Sequence, residues 1–192
     1  MGRTVLDADI AATPTTGVLV RHLHAAGGIQ VSASHNPPQY NGLKLFSPAG
    51  RVIDASAGEA VKQCYATGDF TWATHDNVGA SVEYGESTDV HLKLVLDTVD
   101  VEAIRRQAFR VLLDSNHGAG SILGRRLLDD ELGCEVTLVG GDPDGQFAHP
   151  AEPTAENLAD VARVVADSEA VIGFCQDPDA DRLAVIDERG RY

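Results

Sequence analysis

The sequence predicts an α/β protein of two consecutive domains with mixed or parallel sheets, and three observations carry that reading. Beyond residue 108, short apolar runs (FRVLLD, CEVTLVG, AVIGFC, LAVID) alternate with helical patterns at the spacing of βαβ units. Earlier, GIQVSASHNPPQYNGLKLF at 28–46 reads as a strand, a tight loop and a second strand. Between these regions, residues 67–87 are polar and glycine-rich with little periodicity, and at Thr88 the pattern turns helical. The boundary is placed there, giving domains 1–87 and 88–192.

Taken in order, TVLDADI at 4–10 opens as a strand, and TPTTG at 13–17 has helix-start chemistry. VLVRHLHAAGG continues a helical pattern (Val18, Leu19, Leu23, Ala26) that the two glycines are expected to close. FSPAGRVID predicts a hairpin through Pro48–Gly50, and 56–66 a helix with Ala60, Val61 and Tyr65. VHLKLVLDTVDVEAIRRQ is helical with a break near Asp97–Asp100. SNHGAG is a glycine-rich turn after a strand, and SILGRRLLDDELG a helix ending on Gly133. AEPTAENL is a helix start with Thr154 as its N-cap, leading into ADVARVVADS. No internal repeat or low-complexity segment interrupts this order.

A chain of 192 residues with 43% hydrophobic side chains can build real cores. Its net charge of −14 argues against nucleic acid or an anionic membrane as partner, since both need a basic footprint. The same charge means that an anionic substrate needs a local cation cluster or a metal. Cys64, Cys134 and Cys175 are widely spaced and form no ligand pattern, which reads as three reduced thiols in a cytoplasmic protein. No apolar run approaches the ~18 residues of a membrane span, and the N-terminus carries no signal-like segment.

Two stretches carry candidate chemistry. In VSASHNPPQYNGLKLF, Pro37 and Pro38 fix φ and remove two backbone donors, so the chain turns sharply after Ser34 and His35. Both side chains therefore sit on a loop held between strands. Taken alone, Ser34 is a turn residue, His35 a loop histidine and Lys44 a solvent lysine on a β-edge. Asn36 and Asn41 are expected to shape the turns. In FCQDPDADRL, Asp177, Asp179 and Asp181 alternate, which in an extended segment puts all three on one face. Three carboxylates so close repel one another unless a cation lies among them, and oxygen-only ligands favour a hard ion, Mg²⁺ first. Arg182 adds a fixed positive charge suited to a phosphate oxygen. A nucleophile loop plus a carboxylate triad is what metal-assisted phosphoryl transfer requires.

Rival readings exist for the aspartate loop. Counted from Asp177, the ligand positions match an EF-hand as far as Glu188, but Arg182 stands where the sharp turn wants glycine and both flanks read as strands. In a haloacid-dehalogenase-like phosphatase Asp177 would itself be the nucleophile, which leaves Asp181 and Ser34 without a role. HGAGS at 117–121 lacks the Lys-Ser/Thr of a P-loop, so its glycines read as close-packing residues.

SASHNP with NGLKLF, and later DPDADR, resemble the phosphoserine loop and metal loop of the α-D-phosphohexomutases, the phosphoglucomutases, phosphomannomutases and phosphoglucosamine mutases. The chain has DPDADR where many relatives carry glycines at the two intervening positions, which leaves the ligands unchanged. The resemblance covers essentially the whole chain. It implies two consecutive phosphohexomutase-type α/β domains, the first incomplete, from an enzyme of four. It implies that Ser34 carries the phosphoryl group, with Ser34, Asp177, Asp179 and Asp181 forming a Mg²⁺ site. His35 would orient the phosphoserine, Lys44 would serve proton transfer or phosphate contact, and Arg182 would assist. Asn116 and His117 would support the site from behind. The implied reaction interconverts hexose 1- and 6-phosphates through a bisphosphorylated sugar. The segments that select glucose, mannose or glucosamine lie elsewhere, and the 192 residues alone are expected to be nearly inactive. The alternative is a metal-binding module without mutase activity, either a degenerate paralogue or an isolated fragment. Oligomeric state is not legible.

Overall fold

The computed structural model describes residues 2–37 and 39–192. In the first part of the chain, strand β1 (Val5–Asp7) leads into helix α1 (Thr13–His22), followed by β2 (Gly28–Val31) and β3 (Leu43–Phe46). Helix α2 (Ala55–Thr67) and strand β4 (Ser81–Glu83) complete it. Among the described residues these strands form two separate ribbons, β1 with β4 in parallel and β2 with β3 antiparallel. The expected turn at Pro48–Gly50 is present: Ser47 N–H donates to Arg51 O at 2.8 Å, and Phe46 bridges to Val52. Asp54 caps α2 by accepting from Ala57 N–H at 2.8 Å.

Helix α1 ends differently from the sequence expectation. It stops at His22, and the left-handed residue beyond it is His24 (φ 49°), not a glycine. Gly27 and Gly28 instead allow β2 to lie against α1 and β3. A Cβ on Gly28 would stand 2.5 Å from Val20 Cγ2, and one on Gly27 2.8 Å from Phe46 O.

The second part contains α3 (Asp89–Leu96), α4 (Val101–Arg105), β5 (Arg110–Asp114), α5 (Gly120–Arg125), β6 (Glu135–Val139), α6 (Ala159–Asp167), β7 (Ile172–Gln176) and β8 (Leu183–Asp187). The break between α3 and α4 falls as expected, with the Asp100 carboxylate accepting from Ala103 N–H. The sheet order is β6-β5-β7-β8, parallel except for β8, which pairs antiparallel with β7. Successive residues of β5 face opposite layers. Leu112 joins Leu158, Val161, Val165, Cys175 and Ile186 under α6. Val111 joins Leu132 and Cys134 on the other face, beneath Leu96, Val101 and Ile104 of α3 and α4. This is an α/β/α sandwich.

Two further expectations shift at helix ends. The helix after SNHGAG changes to a π-helical turn over Arg126–Glu131, which directs Leu127 and Leu128 into the core before Gly133 (φ 62°) ends it. Thr154 Oγ1 accepts from Asn157 N–H at 3.3 Å, but this closes a separate turn, and regular helix begins only at Ala159. All three cysteines are free. Burial pushes the Cys175 thiol up to about 12, with the charge of Asp114 adding to it, so it packs as an inert apolar group. Among the described residues no helix is long and apolar enough to cross a membrane.

Candidate functional site

The β2–β3 ribbon projects the serine loop. Ser32 N–H donates to Gly42 O at 3.0 Å across its base, and Ser34 N–H donates to Ser32 Oγ at 2.9 Å. Asn36 Nδ2 donates to Ala33 O at 2.7 Å and Asn41 Oδ1 accepts from Gly42 N–H at 2.9 Å, so both asparagines shape the turn. Pro37 follows at the turn, while Pro38 lies outside the described residues. Ser34 itself is left-handed, with φ 53°. Such a conformation costs a non-glycine residue roughly 1–2 kcal/mol, and the local hydrogen bonds hold it. His35 Nδ1 lies 3.5 Å from Ser34 Oγ, on an exposed ring.

The aspartate loop is the hairpin between β7 and β8 at the end of the sheet, where open α/β sheets bind ligands. The three carboxylates do converge, but not along an extended segment. Pro178 and Asp179 make a turn, Ala180 is left-handed (φ 54°), and its N–H donates to Asp177 O at 2.9 Å. Asp177 is fully buried and Asp179 nearly so, while Asp181 is one-third exposed. One oxygen from each lies within 4.8 Å of the others. Oxygen ligands of Mg²⁺ stand ~2.0–2.1 Å from the ion, hence up to ~4.2 Å apart across it. A small contraction of this cluster would therefore enclose the ion. One observation makes the fit specific: Asp179 Oδ1 is buried and has no hydrogen-bond partner among the described residues.

The two loops meet. Lys44 on β3 points inward rather than along a solvent edge, and its Nζ donates to Asp179 Oδ2 at 2.5 Å and to Asp181 Oδ2 at 2.7 Å. Thr13, at the start of α1, donates its hydroxyl to the same Asp179 Oδ2 and its N–H to Asp179 O at 2.9 Å. The ribbon is tied to the same helix: Gln30 accepts from Thr16 Oγ1, and its Nε2 donates to Ala11 O at 3.1 Å. Burial by itself would raise Asp179, but hydrogen bonds from Lys44 and Thr13, with Ser34 adding, hold its carboxyl below the usual range. Asp177 moves the other way. Burial pushes it up, and its charged neighbours Asp179 and Asp181 add to this against the N–H of Arg182. Arg182 wraps back on Asp177, its N–H donating to Oδ1 at 3.0 Å and Nε to Oδ2 at 3.2 Å. Its outer nitrogen reaches Glu152 at 3.4 Å.

The glycine turn after β5 supports the aspartate loop through its backbone. Ala119 N–H donates to Pro178 O at 2.8 Å, and a Cβ on Gly118 would stand 2.4 Å from that oxygen. A Cβ on Gly120 would stand 2.6 Å from Ala180 Cβ. Asn116 and His117, expected to back the site, turn elsewhere. Asn116 Oδ1 accepts from the N–H of Ala148 and His149, and His117 Nδ1 faces Asp142 O at 2.9 Å. Both are left-handed residues of a turn that anchors the 142–149 segment.

That segment brings His149 onto buried Asp114. Nε2 lies 2.8 Å from Asp114 Oδ2 and Nδ1 3.0 Å from Pro150 O, so both ring nitrogens face acceptors, which only the imidazolium satisfies. Burial would lower the pKa of His149, but the hydrogen bond to Asp114 and its charge outweigh that and raise it. A histidine raised on folding stabilises fully below its unfolded value near 6.5 and loses that contribution as pH rises through the folded value. In urea titrations at pH 5.5 and 8.5, wild type is expected to exceed His149→Gln by more at pH 5.5. An equal difference at both would show the pair is not ionic.

Sequence reasoning did not find Thr13, Gln30 or Glu152 at the site. Thr13 was legible only as a helix start, and its contact with Asp179 spans 166 positions.

An α/β/α sandwich with a carboxylate cluster at its strand ends, faced by a serine loop from a preceding unit, defines the class. The family description phosphoglucomutase/phosphomannomutase, α/β/α domain II, matches residues 89–190, and domain I matches residues 1–72. The chain belongs to the phosphoglucomutase/phosphomannomutase family. It is 38% identical over 192 residues to a phosphoglucomutase/phosphomannomutase of Thermococcus kodakarensis, covering all of this chain and 42% of that one. A probable phosphoglucosamine mutase of Methanosarcina barkeri is 33% identical, with the same coverage. A crystal structure from Thermus thermophilus, provisionally named a phosphomannomutase, superposes with a TM-score of 0.80 at 26% identity, over 98% of this chain and 42% of that one. The chain thus spans about two-fifths of the length of these relatives.

Proposed function

We propose that this chain carries the phosphoryl-carrier serine and the Mg²⁺ site of a cytoplasmic phosphohexomutase, divided near residue 88 into a serine-bearing and a metal-bearing domain. The observation that carries the reading is Lys44 Nζ lying 2.5 and 2.7 Å from Asp179 and Asp181, which joins the serine ribbon to the carboxylates. In the proposed reaction the phosphoryl group on Ser34 Oγ passes to one hydroxyl of a hexose monophosphate; the O–P bond to Ser34 breaks as the O–P bond to the sugar forms, and the proton of the sugar hydroxyl ends on Ser34 Oγ. The bisphosphate reorients, and its other phosphoryl group returns to Ser34. Asp177, Asp179 and Asp181 would hold Mg²⁺, which when bound neutralises charge on the phosphate. Lys44 and Arg182 supply fixed positive charge beside the transferred group, and His35 orients it. A carboxylate nucleophile at Asp177 is disfavoured, because it leaves Ser34 and Asp181 without a role.

The test is a coupled assay on the 1-phosphates of glucose, mannose and glucosamine. A full-length protein containing these residues is expected to turn over at least one of them, Mg²⁺-dependently, at ~1 s⁻¹ or faster. The 192 residues alone are expected to show negligible turnover, because gripping the sugar is a large share of such catalysis. No turnover of any of the three by the long form would overturn the reading, and full turnover by the short form would overturn its second half.

A further inference from the structure

The buried carboxylate of Asp179 is gripped on one side only. Oδ2 accepts from the hydroxyl of Thr13 and from Lys44 Nζ, while Oδ1, equally buried, has no partner among the described residues. An ionised carboxylate accepts at both oxygens, and a bare buried one is costly unless something faces it. The terminal torsion of aspartate is broad and two-fold, so nothing in the side chain itself selects which oxygen is presented. The selection comes from outside. Thr13 is 5% exposed, opens α1, and is fixed relative to the aspartate loop by its own N–H bond to Asp179 O at 2.9 Å. Its hydroxyl can only donate to a carboxylate, so it marks Oδ2 as the engaged oxygen.

We propose that Thr13 is a positioning residue of the metal site: its hydroxyl pins Asp179 Oδ2 so that Oδ1 is the one oxygen offered to a divalent cation. The inference rests on the metal reading above and adds a residue from the serine-bearing part of the chain. It makes cation affinity depend on how α1 sits against the aspartate loop. A hydrogen bond that orients a metal ligand typically changes affinity by about 10–100-fold when removed.

The experiment is calorimetric titration of the 192-residue chain with Mg²⁺ and Mn²⁺, with thermal melts of each variant. Thr13→Val keeps the shape and the backbone N–H but removes the hydroxyl. Thr13→Ala does the same without a branched side chain, should valine fail to fold, and Thr13→Ser retains the hydroxyl. Folded Val or Ala variants are expected to bind at least about tenfold more weakly, with the Ser variant within about threefold of wild type. Wild-type affinity in a folded hydroxyl-free variant overturns the inference alone, as does a Ser variant as weak as Ala, which would assign the effect to packing of the methyl. A wild-type chain that binds neither ion overturns the metal reading as well.

Discussion

On the proposed reading, replacing Ser34 with alanine in a full-length protein is expected to reduce hexose phosphate interconversion to about a thousandth of wild type or less, on the scale seen when a covalent nucleophile is removed. The reason is structural as much as chemical. Ser34 sits left-handed at φ 53° on a loop whose base is closed by Ser32 and Gly42, and Lys44 on the same ribbon donates to Asp179 and Asp181. Ser32, the other serine of this loop, uses its Oγ to accept the N–H of Ser34. Mass spectrometry of active wild type should place one phosphate on the peptide containing Ser34. Phosphate on an aspartate peptide instead would transfer the case to a carboxylate-nucleophile mechanism.

The second large effect is on the cation. Asp177→Asn is expected to weaken Mg²⁺ binding by about a hundredfold or more, since it removes one of the three charged oxygen ligands of the proposed site, whose affinity follows ligand charge. The variant should stay folded. An asparagine oxygen can still accept the Arg182 N–H that closes the hairpin, and the cores under and over the sheet contain none of the loop residues. Titration with Mg²⁺ alongside a thermal melt checks both halves. Equal affinity in a folded variant would remove Asp177 from the metal site, and the triad with it.

The sandwich of the second part was legible because local pattern and final structure coincide there. Each strand of FRVLLD, CEVTLVG and AVIGFC is a short apolar run that must be covered on both faces, and each intervening helix has an apolar stripe to cover it. The aspartates were legible for the same reason: three acidic residues in five positions are unfavourable without a counter-charge, so the motif announces its chemistry. The Pro48–Gly50 turn and the break at Asp97–Asp100 are likewise written in residues that act only on their neighbours.

What the sequence could not decide was decided by contacts between distant residues. Apart from the resemblance, Lys44 reads as an edge lysine until β3 is placed beside residues 135 and 137 positions away, where its charge lies between two carboxylates. Gly27 and Gly28 read as a helix stop, yet what they permit is the approach of β2 to Val20 and Phe46. Asn116 and His117 read as neighbours of the site, but the turn rotates them toward the 142–149 segment and leaves only backbone against Pro178. Thr13 had no signal at all, because a threonine opening a helix looks the same whether or not a carboxylate from across the molecule waits at its hydroxyl. Local propensity acts over a few residues, whereas burial and pairing act over whatever the fold brings together. The sequence by itself determined the elements and the kinds of chemistry; the tertiary structure decided which side chains share a carboxylate.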